Sequence, residues 1–335
     1  MLDVTVETES WELVEAFEIA RGTLTALPVI VVTLRDADGH EGRAEAAGVD
    51  YDGETPASMM AEIERVQSAL TAATRDGQVT SHVLRALQTL LPPGGARNAL
   101  DCALWDLRAK QTGVPAWRTA ALASLTPLTT VFTLGLGSEA DTRRKAREAR
   151  HFPLLKLKCD RDRHVDVVRW VREEHPHARI AVDANQSWTR ELLERILPHL
   201  ASLGVEMVEQ PVPRGEDAAL DGLRAPVPLA ADESCTDRAS VARLVEWYQY
   251  INIKLDKCGG LTEALAMGDQ AIALGMQLMV GNMCGTSLGM APAFLVGQRC
   301  GYVDLDGPLL QKHDREHAMS CVNGVMQPPT RALWG

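Results

Sequence analysis

The segment Leu154-Leu-Lys-Leu-Lys-Cys159, followed by Arg179-Ile-Ala-Val-Asp-Ala184 and Val205-Glu-Met-Val-Glu-Gln210, decides the fold. Each is a short apolar run that ends in polar or ionisable residues, and amphipathic stretches at 164–174 and 189–202 separate them. Working outward, residues 129–134, 228–233, 250–255, 277–282 and 303–307 repeat the strand pattern, while 236–247 and 260–275 repeat the helical one. Eight strands recurring every 22 to 28 residues or so have the length of βα units and predict an α/β fold, a TIM-like (β/α)7β barrel. A doubly wound open sheet would bring a Gly-rich phosphate loop after its first strand, and Leu134-Gly-Leu-Gly137 lacks the third glycine. No amphipathic helix follows Asp306, so residues 308–335 are expected to return to the first domain instead of completing an eighth unit.

Upstream the rhythm changes. Residues 4–9 alternate, 29–35 are β-branched and end at the turn Asp38-Gly39, and 57–71 and 99–113 carry apolar residues at helical spacing, with Gly113 and Pro115 as a stop signal. This predicts an α+β capping domain over residues 1–120 and a barrel over 121–307 that carries the active site.

The chain has 335 residues, 34 Lys and Arg against 45 Asp and Glu, and a net charge of −11. That length suffices for two packed cores. The acidic balance disfavours nucleic acid and anionic membranes as partners, because both need Lys and Arg. The densest apolar run, 26–34, is too short to span a bilayer, and residues 1–10 are acidic and alternating, unlike a secretion signal. The expected location is cytoplasmic. Seven scattered cysteines without a Cys-x-x-Cys pair suit a reducing compartment better than disulfides or zinc. A homo-oligomer is compatible with all of this.

In such a barrel the chemistry sits at the C-terminal strand ends, and alternation sends residues i and i+2 to the same side. Strand two ends with Lys156 and Lys158, strand three with Asp183 and Asn185, strand four with Glu209, strand five with Asp232 and Glu233, strand six with Lys254, and strand eight with Asp304 and Asp306. One charged strand end is ordinarily a solvated residue. Six converging on one mouth need something to neutralise them, and Asp183, Glu209 and Asp232 offer oxygen ligands for a hard divalent cation. Mg²⁺ is the natural occupant and Mn²⁺ an acceptable one; zinc is disfavoured without His or Cys. Lysines on strands two and six would face each other across the metal, where burial and a nearby cation both disfavour the ammonium. One could remove the α-proton of a metal-chelated carboxylate substrate and the other return it, which is epimerase or racemase chemistry through a metal-stabilised enediolate.

The segments Lys156-Leu-Lys158, Asp183-Ala-Asn185, Val208-Glu-Gln-Pro211, Ala231-Asp-Glu-Ser234 and Asn252-Ile-Lys-Leu-Asp-Lys-Cys-Gly-Gly260 resemble the enolase superfamily, muconate-lactonizing subgroup, over nearly the whole chain. The resemblance implies a capping α+β domain over a barrel lacking its last helix, and Mg²⁺ ligation by Asp183, Glu209 and Asp232. It further implies Lys158 and Lys254 as paired acid/base lysines, with Lys156 neutralising the substrate carboxylate and Asn185 and Glu233 supporting the ligands. Asp304-Leu-Asp306 resembles the Asp-x-Asp signature of the dipeptide epimerases, whose carboxylates hold a free α-ammonium. Arg21, in Phe17-Glu-Ile-Ala-Arg-Gly-Thr23, resembles a cap loop of Ala-Glu epimerases that contacts the substrate side chain, and its guanidinium would suit a Glu carboxylate. The segment 48–54, with Tyr51, is a second candidate lid, and Asn282 and Cys284 are expected to line the substrate pocket after strand seven.

The implied activity is Mg²⁺-dependent dipeptide epimerisation, an isomerase reaction, on L-Ala-D/L-Glu in murein peptide metabolism. N-acylamino acid racemases, o-succinylbenzoate synthases and muconate cycloisomerases are the alternatives on the same scaffold. Their substrates lack the ammonium, so two buried acids would only cost them desolvation. In another class, Gly285-Thr-Ser-Leu-Gly289 fits the G-x-S-x-G pattern of a serine hydrolase built on Ser287, but that leaves the lysines and carboxylates without a role. His175-Pro-His177 precedes strand three, at the stable end of the barrel, and reads as a surface turn. A non-catalytic binding protein would leave both lysines and all three acids unexplained.

Overall fold

The computed structural model describes residues 2–19, 22–74 and 76–335. The N-terminal part is a three-stranded antiparallel sheet backed by helices. β1 (Asp3–Ile19) and β2 (Gly22–Arg35) form a hairpin far longer than the two short strands that alternation marks, and β3 (Glu41–Ala46) pairs with β2. Arg21 lies outside the described residues.

Three helices follow, α1 (Pro56–Ala73), α2 (Ser81–Leu90) and α3 (Gly95–Thr112). Thr55 caps α1, and α3 stops at Gly113 in the left-handed region, as its sequence predicts. Helix α3 is buried from Gly95 to Leu107 because it lies between the cap sheet and the barrel, touching β2 and β3 on one side and the segment after Lys254 on the other. Its polar residues are therefore paired: Asp106 takes Lys110 Nζ at 2.7 Å, and Asp101 takes the Thr262 amide at 2.9 Å.

After the short α4 (Ala116–Thr119) the expected strand 129–134 divides in two. β4 (Leu128–Thr129) leaves the barrel to pair with the tail, and β5 (Phe132–Leu134) opens the barrel sheet. The sheet continues through β6 (Leu154–Lys158), β7 (Arg179–Asp183), β8 (Val205–Glu209), β9 (Leu229–Ala231), β10 (Tyr250–Lys254), β11 (Gln277–Gly281) and β12 (Tyr302–Val303). All seven pairings are parallel and in chain order, and the Val131 amide donates to the Val303 carbonyl at 2.8 Å, drawing the two ends together. The outer layer holds α5 (Glu139–Glu148), α6 (Val165–Glu174), α7 (Arg190–Ser202), α8 (Arg238–Leu244), the single turn α9 (Leu255–Cys258), α10 (Leu261–Ala273) and α11 (Ser287–Gly297). Between β8 and β9 a 3₁₀ turn, Asp217–Leu220, takes the place of a helix.

Among the described residues no α-helix follows Gly297. The tail forms β13 (Cys321–Val322) and β14 (Val325–Met326), pairs with β4, and ends against the cap, where Trp334 Nε1 donates to the Cys102 carbonyl at 3.1 Å. The cysteines are all free. No described helix is long and apolar enough to cross a membrane. His175 departs from the surface-turn reading: it is buried, with Nε2 3.0 Å from the Phe152 carbonyl, tying the end of α6 to the start of β6.

Candidate active site

Inside the barrel, period-two alternation stacks side chains in layers. Val131, Leu154, Ala181, Met207, Ala230, Tyr250, Met279 and Tyr302 form an apolar floor. Two residues further along each strand stand Thr133, Lys156, Asp183, Glu209, Asp232, Asn252, Gly281 and Asp304. One step higher come Lys158, Asn185, Lys254 and Asp306. The interior thus changes from hydrocarbon to ionic over a single pleat. Several chain segments leaving these strands are strained, with Asn185, Gln210 and Cys284 at positive φ of 41°, 34° and 65°.

Lys158 Nζ donates to Asp183 Oδ2 at 2.6 Å and to Asn185 Oδ1 at 3.0 Å. Across the mouth, Lys254 Nζ donates to Asp232 Oδ2 at 2.8 Å. The two lysines come from the second and sixth of eight strands and from the same layer, so they approach the centre from opposite sides. Lys156 is buried below them, bonded to Asp304 Oδ2, with Glu209 Oε2 at 3.4 Å and Asp183 Oδ2 at 3.6 Å. Asn185 Nδ2 lies 3.4 Å from Glu233 Oε1, so these two supporting residues meet. The Asp306 Oδ2 accepts the Thr133 amide at 2.7 Å, and Asp304 Oδ1 is buried without a hydrogen bond.

Two candidate residues are engaged by their own chain. Asn282 donates to the Asp304 carbonyl at 2.6 Å and accepts the Cys284 amide at 2.7 Å, so its amide group is spent on shaping the loop under the Asp pair. Ser287 is fully buried, donating to Asp314 Oδ2 at 2.5 Å and accepting the Met319 amide at 2.9 Å. Its hydroxyl belongs to the start of α11 and is no nucleophile.

Three further residues, outside those the sequence reading names for the site, join it. Lys257 Nζ donates to Asp232 Oδ1 at 2.6 Å and the Asn252 carbonyl at 3.1 Å, as well as to the Asp232 carbonyl. Asn252 Nδ2 donates to Glu209 Oε1 at 2.7 Å, a partner that parity with Lys254 would have marked. Gln210 Oε1 receives the amides of Asp232 and Ser234 at 2.9 and 3.1 Å, holding the turn that aims Asp232.

Among the described residues Lys156, Lys158, Lys254 and Lys257 pair with Asp183, Glu209, Asp232 and Asp304, and Glu233 and Asp306 stand beside them. The titration behaviour follows. Burial and then Asp183 push Glu209 up to about 8, and burial and then Asp304 push Asp306 up to about 7. Burial and the charge of Asp232 also raise Glu233. For Asp183 and Asp232 burial works upward but is outweighed by their lysines, and both are held below the usual carboxylate range. The same carboxylates outweigh burial at Lys156 and Lys254 and raise them.

A divalent cation suits this donor set: three buried carboxylates from consecutive strands at one height, all oxygen. Glu209 Oε2 is buried without a hydrogen bond, with Lys156 Nζ at 3.4 Å, and could serve as a ligand. In the present arrangement each acid is drawn to its own partners, and the three do not gather oxygens within 4.8 Å of one another. The group that does so among the described residues is Asp36, Asp38 and His40 in the cap, where Asp36 is occupied in organising its own turn.

Residues 1–119 match the mandelate racemase / muconate lactonizing enzyme N-terminal domain, and residues 139–332 match the enolase C-terminal domain-like family. The chain is 39% identical to an L-Ala-D/L-Glu epimerase of Escherichia coli over 335 residues, covering 97% of this chain and 99% of that one. It is 41% identical to an N-acetyl-D-glutamate racemase of Pseudoalteromonas over 254 residues, 75% of this chain and 80% of the relative. An enolase family member from Agrobacterium tumefaciens with homology to dipeptide epimerases, solved with sodium and L-Ala-L-Glu, superposes with a TM-score of 0.94 at 39% identity over all of both chains.

Proposed function

Because the chain belongs to the mandelate racemase / muconate lactonizing enzyme family, we propose that it is a Mg²⁺-dependent dipeptide epimerase that inverts the α-carbon of the C-terminal residue, with L-Ala-D/L-Glu as substrate. The observation that carries this reading is the placement of Lys158 and Lys254 in one layer on opposite sides of the barrel mouth. A carbon held between them loses its proton to one and regains a proton from the other, which inverts it. Asp183, Glu209 and Asp232 would hold the cation, which supplies positive charge to the substrate carboxylate as the α-proton leaves.

Cation binding would also take Asp183 and Asp232 away from Lys158 and Lys254, and its own charge would lower the lysines' affinity for protons. Lys156, released in the same way, is placed to meet the substrate carboxylate. Asp304 and Asp306 are two buried acids in mutual repulsion, and a substrate α-ammonium would relieve it. Such dipeptides arise when murein peptides are broken down, which fits a cytoplasmic recycling enzyme.

Racemisation of an N-acyl glutamate is the second reading, favoured by the relative at 41% identity. It would leave Asp304 and Asp306 facing a neutral amide. Proton NMR in D₂O with Mg²⁺ separates the readings. Loss of the glutamyl α-proton signal with appearance of the second diastereomer, starting from L-Ala-D-Glu or L-Ala-L-Glu, is the expected result. Exchange of N-acetyl-glutamate with inert dipeptides would replace it by the second reading.

A further inference from the structure

The single turn α9 is engaged at every polar point. Lys254 is the residue that precedes it, Asp256 accepts the Gly48 amide of the cap at 2.9 Å, and Lys257 holds Asp232 Oδ1. The carbonyls at its far end, Cys258 and Gly259, receive Arg97 Nη2 at 2.5 Å and Nε at 3.1 Å. Arg97 lies on α3 of the cap, is buried to 5% exposure, and also donates to the Leu91 carbonyl at 3.2 Å.

A cation at the C-terminal carbonyls of a helical turn satisfies orphan acceptors and opposes the turn's dipole. Four residues cannot hold a turn by themselves. Gly259 and Gly260, at φ of 77° and 109°, admit the cap helix: a Cβ on the first would overlap the Arg97 guanidinium, and one on the second the Asp101 side chain. Trp105 Nε1 and Asp101 extend the clamp to Thr262, at 2.9 Å each. The hydrogen bonds of Arg97 reach this turn and the Gln88 and Leu91 carbonyls, while Lys158 donates to Asp183 and Asn185.

We propose, on the two-base reading above, that Arg97 is a positioning residue for Lys254: the cap, besides covering the substrate, fixes one of the two bases by clamping the turn that follows it. The consequence is asymmetric. Epimerisation needs both lysines, but solvent exchange of an α-proton without inversion needs only the lysine facing it. Damage at Arg97 should therefore slow exchange from one diastereomer and spare the other, whereas a general loss of structure or of substrate binding would slow both.

The experiment measures α-deuterium incorporation separately into L-Ala-D-Glu and L-Ala-L-Glu for the wild type, Lys254→Ala, Arg97→Gln and Arg97→Lys. Lys254→Ala identifies the diastereomer that Lys254 serves. Arg97→Gln is expected to lower exchange into that diastereomer at least tenfold more than into the other, and Arg97→Lys, which retains charge but not the paired donors, to fall between it and the wild type. If the glutamine variant does not fold, the lysine variant alone must show the same asymmetry. Equal slowing of both diastereomers in the folded variants, with the wild type exchanging both, overturns the role of Arg97. No exchange by the wild type overturns the two-base reading itself.

Discussion

The apolar floor and the ionic layer above it are built by the same eight strands, one pleat apart, and they serve opposite ends. In the floor, Leu154, Met207 and Met279 remove hydrocarbon from water and stabilise the curled sheet. In the layer above, Lys156, Asp183, Glu209 and Asp232 are just as buried, and each must find a counter-charge to offset its desolvation. Stability is thus concentrated at one depth of the barrel and the ionic cluster at the next, which is how a rigid scaffold carries buried charge.

The largest effect expected is at the upper layer. With Mg²⁺ present to take over the charges of Asp183 and Asp232, Lys158→Ala and Lys254→Ala should each lower epimerisation by about 10²–10⁴-fold in both directions while leaving the thermal midpoint nearly unchanged, measured by NMR and calorimetry. Full activity in either variant would break the contrast. In the floor, Met207→Ala should do the reverse, costing about 2–5 kcal/mol in urea unfolding while the folded fraction keeps most of its kcat.

Asp306→Ala should lower kcat/KM for dipeptides about 10–100-fold, mainly through KM, since a charge-assisted contact is worth roughly 1.5–3 kcal/mol. Activity on N-acetyl-glutamate, if present, should be unaffected. The smallest effect is one of pH. Glu209 holds its proton up to about 8 in the folded chain against an ordinary value of 4.5, so in EDTA the folded state binds protons that the unfolded state has lost. Metal-free stability should therefore fall as pH rises between those values, and Glu209→Gln should make that slope shallower while Asp306, raised to about 7, keeps part of it. A flat Tm profile for the metal-free wild type would show that the layer is better compensated than its charges suggest.

Much of the site was legible because it obeys local rules. Asp183, Glu209, Asp232 and the lysines stand where alternation and the end of an apolar run coincide, and in a parallel barrel sequential strands are neighbours, so chain order is spatial order. Asn252 was legible by the same parity, two residues before Lys254. Lys257 was not, because it lies past the strand, on a turn whose direction no periodicity records. The split of 129–134 into β4 and β5 was hidden too, since an apolar strand pattern is the same whether its partner is a barrel strand or the returning tail.

The sequence by itself determined the βα repeat, the depth at which charge begins, and the residue types that meet there, because pleat and helix periods act over a few residues. Only the tertiary structure decided which lysine takes which carboxylate, that Asn282 serves its own loop, that Ser287 is sealed beneath Asp314, and that Arg97 reaches the turn behind Lys254. Those contacts join segments far apart in the chain. They exist because the cap packs on the barrel, and long-range packing leaves no period in the sequence to read.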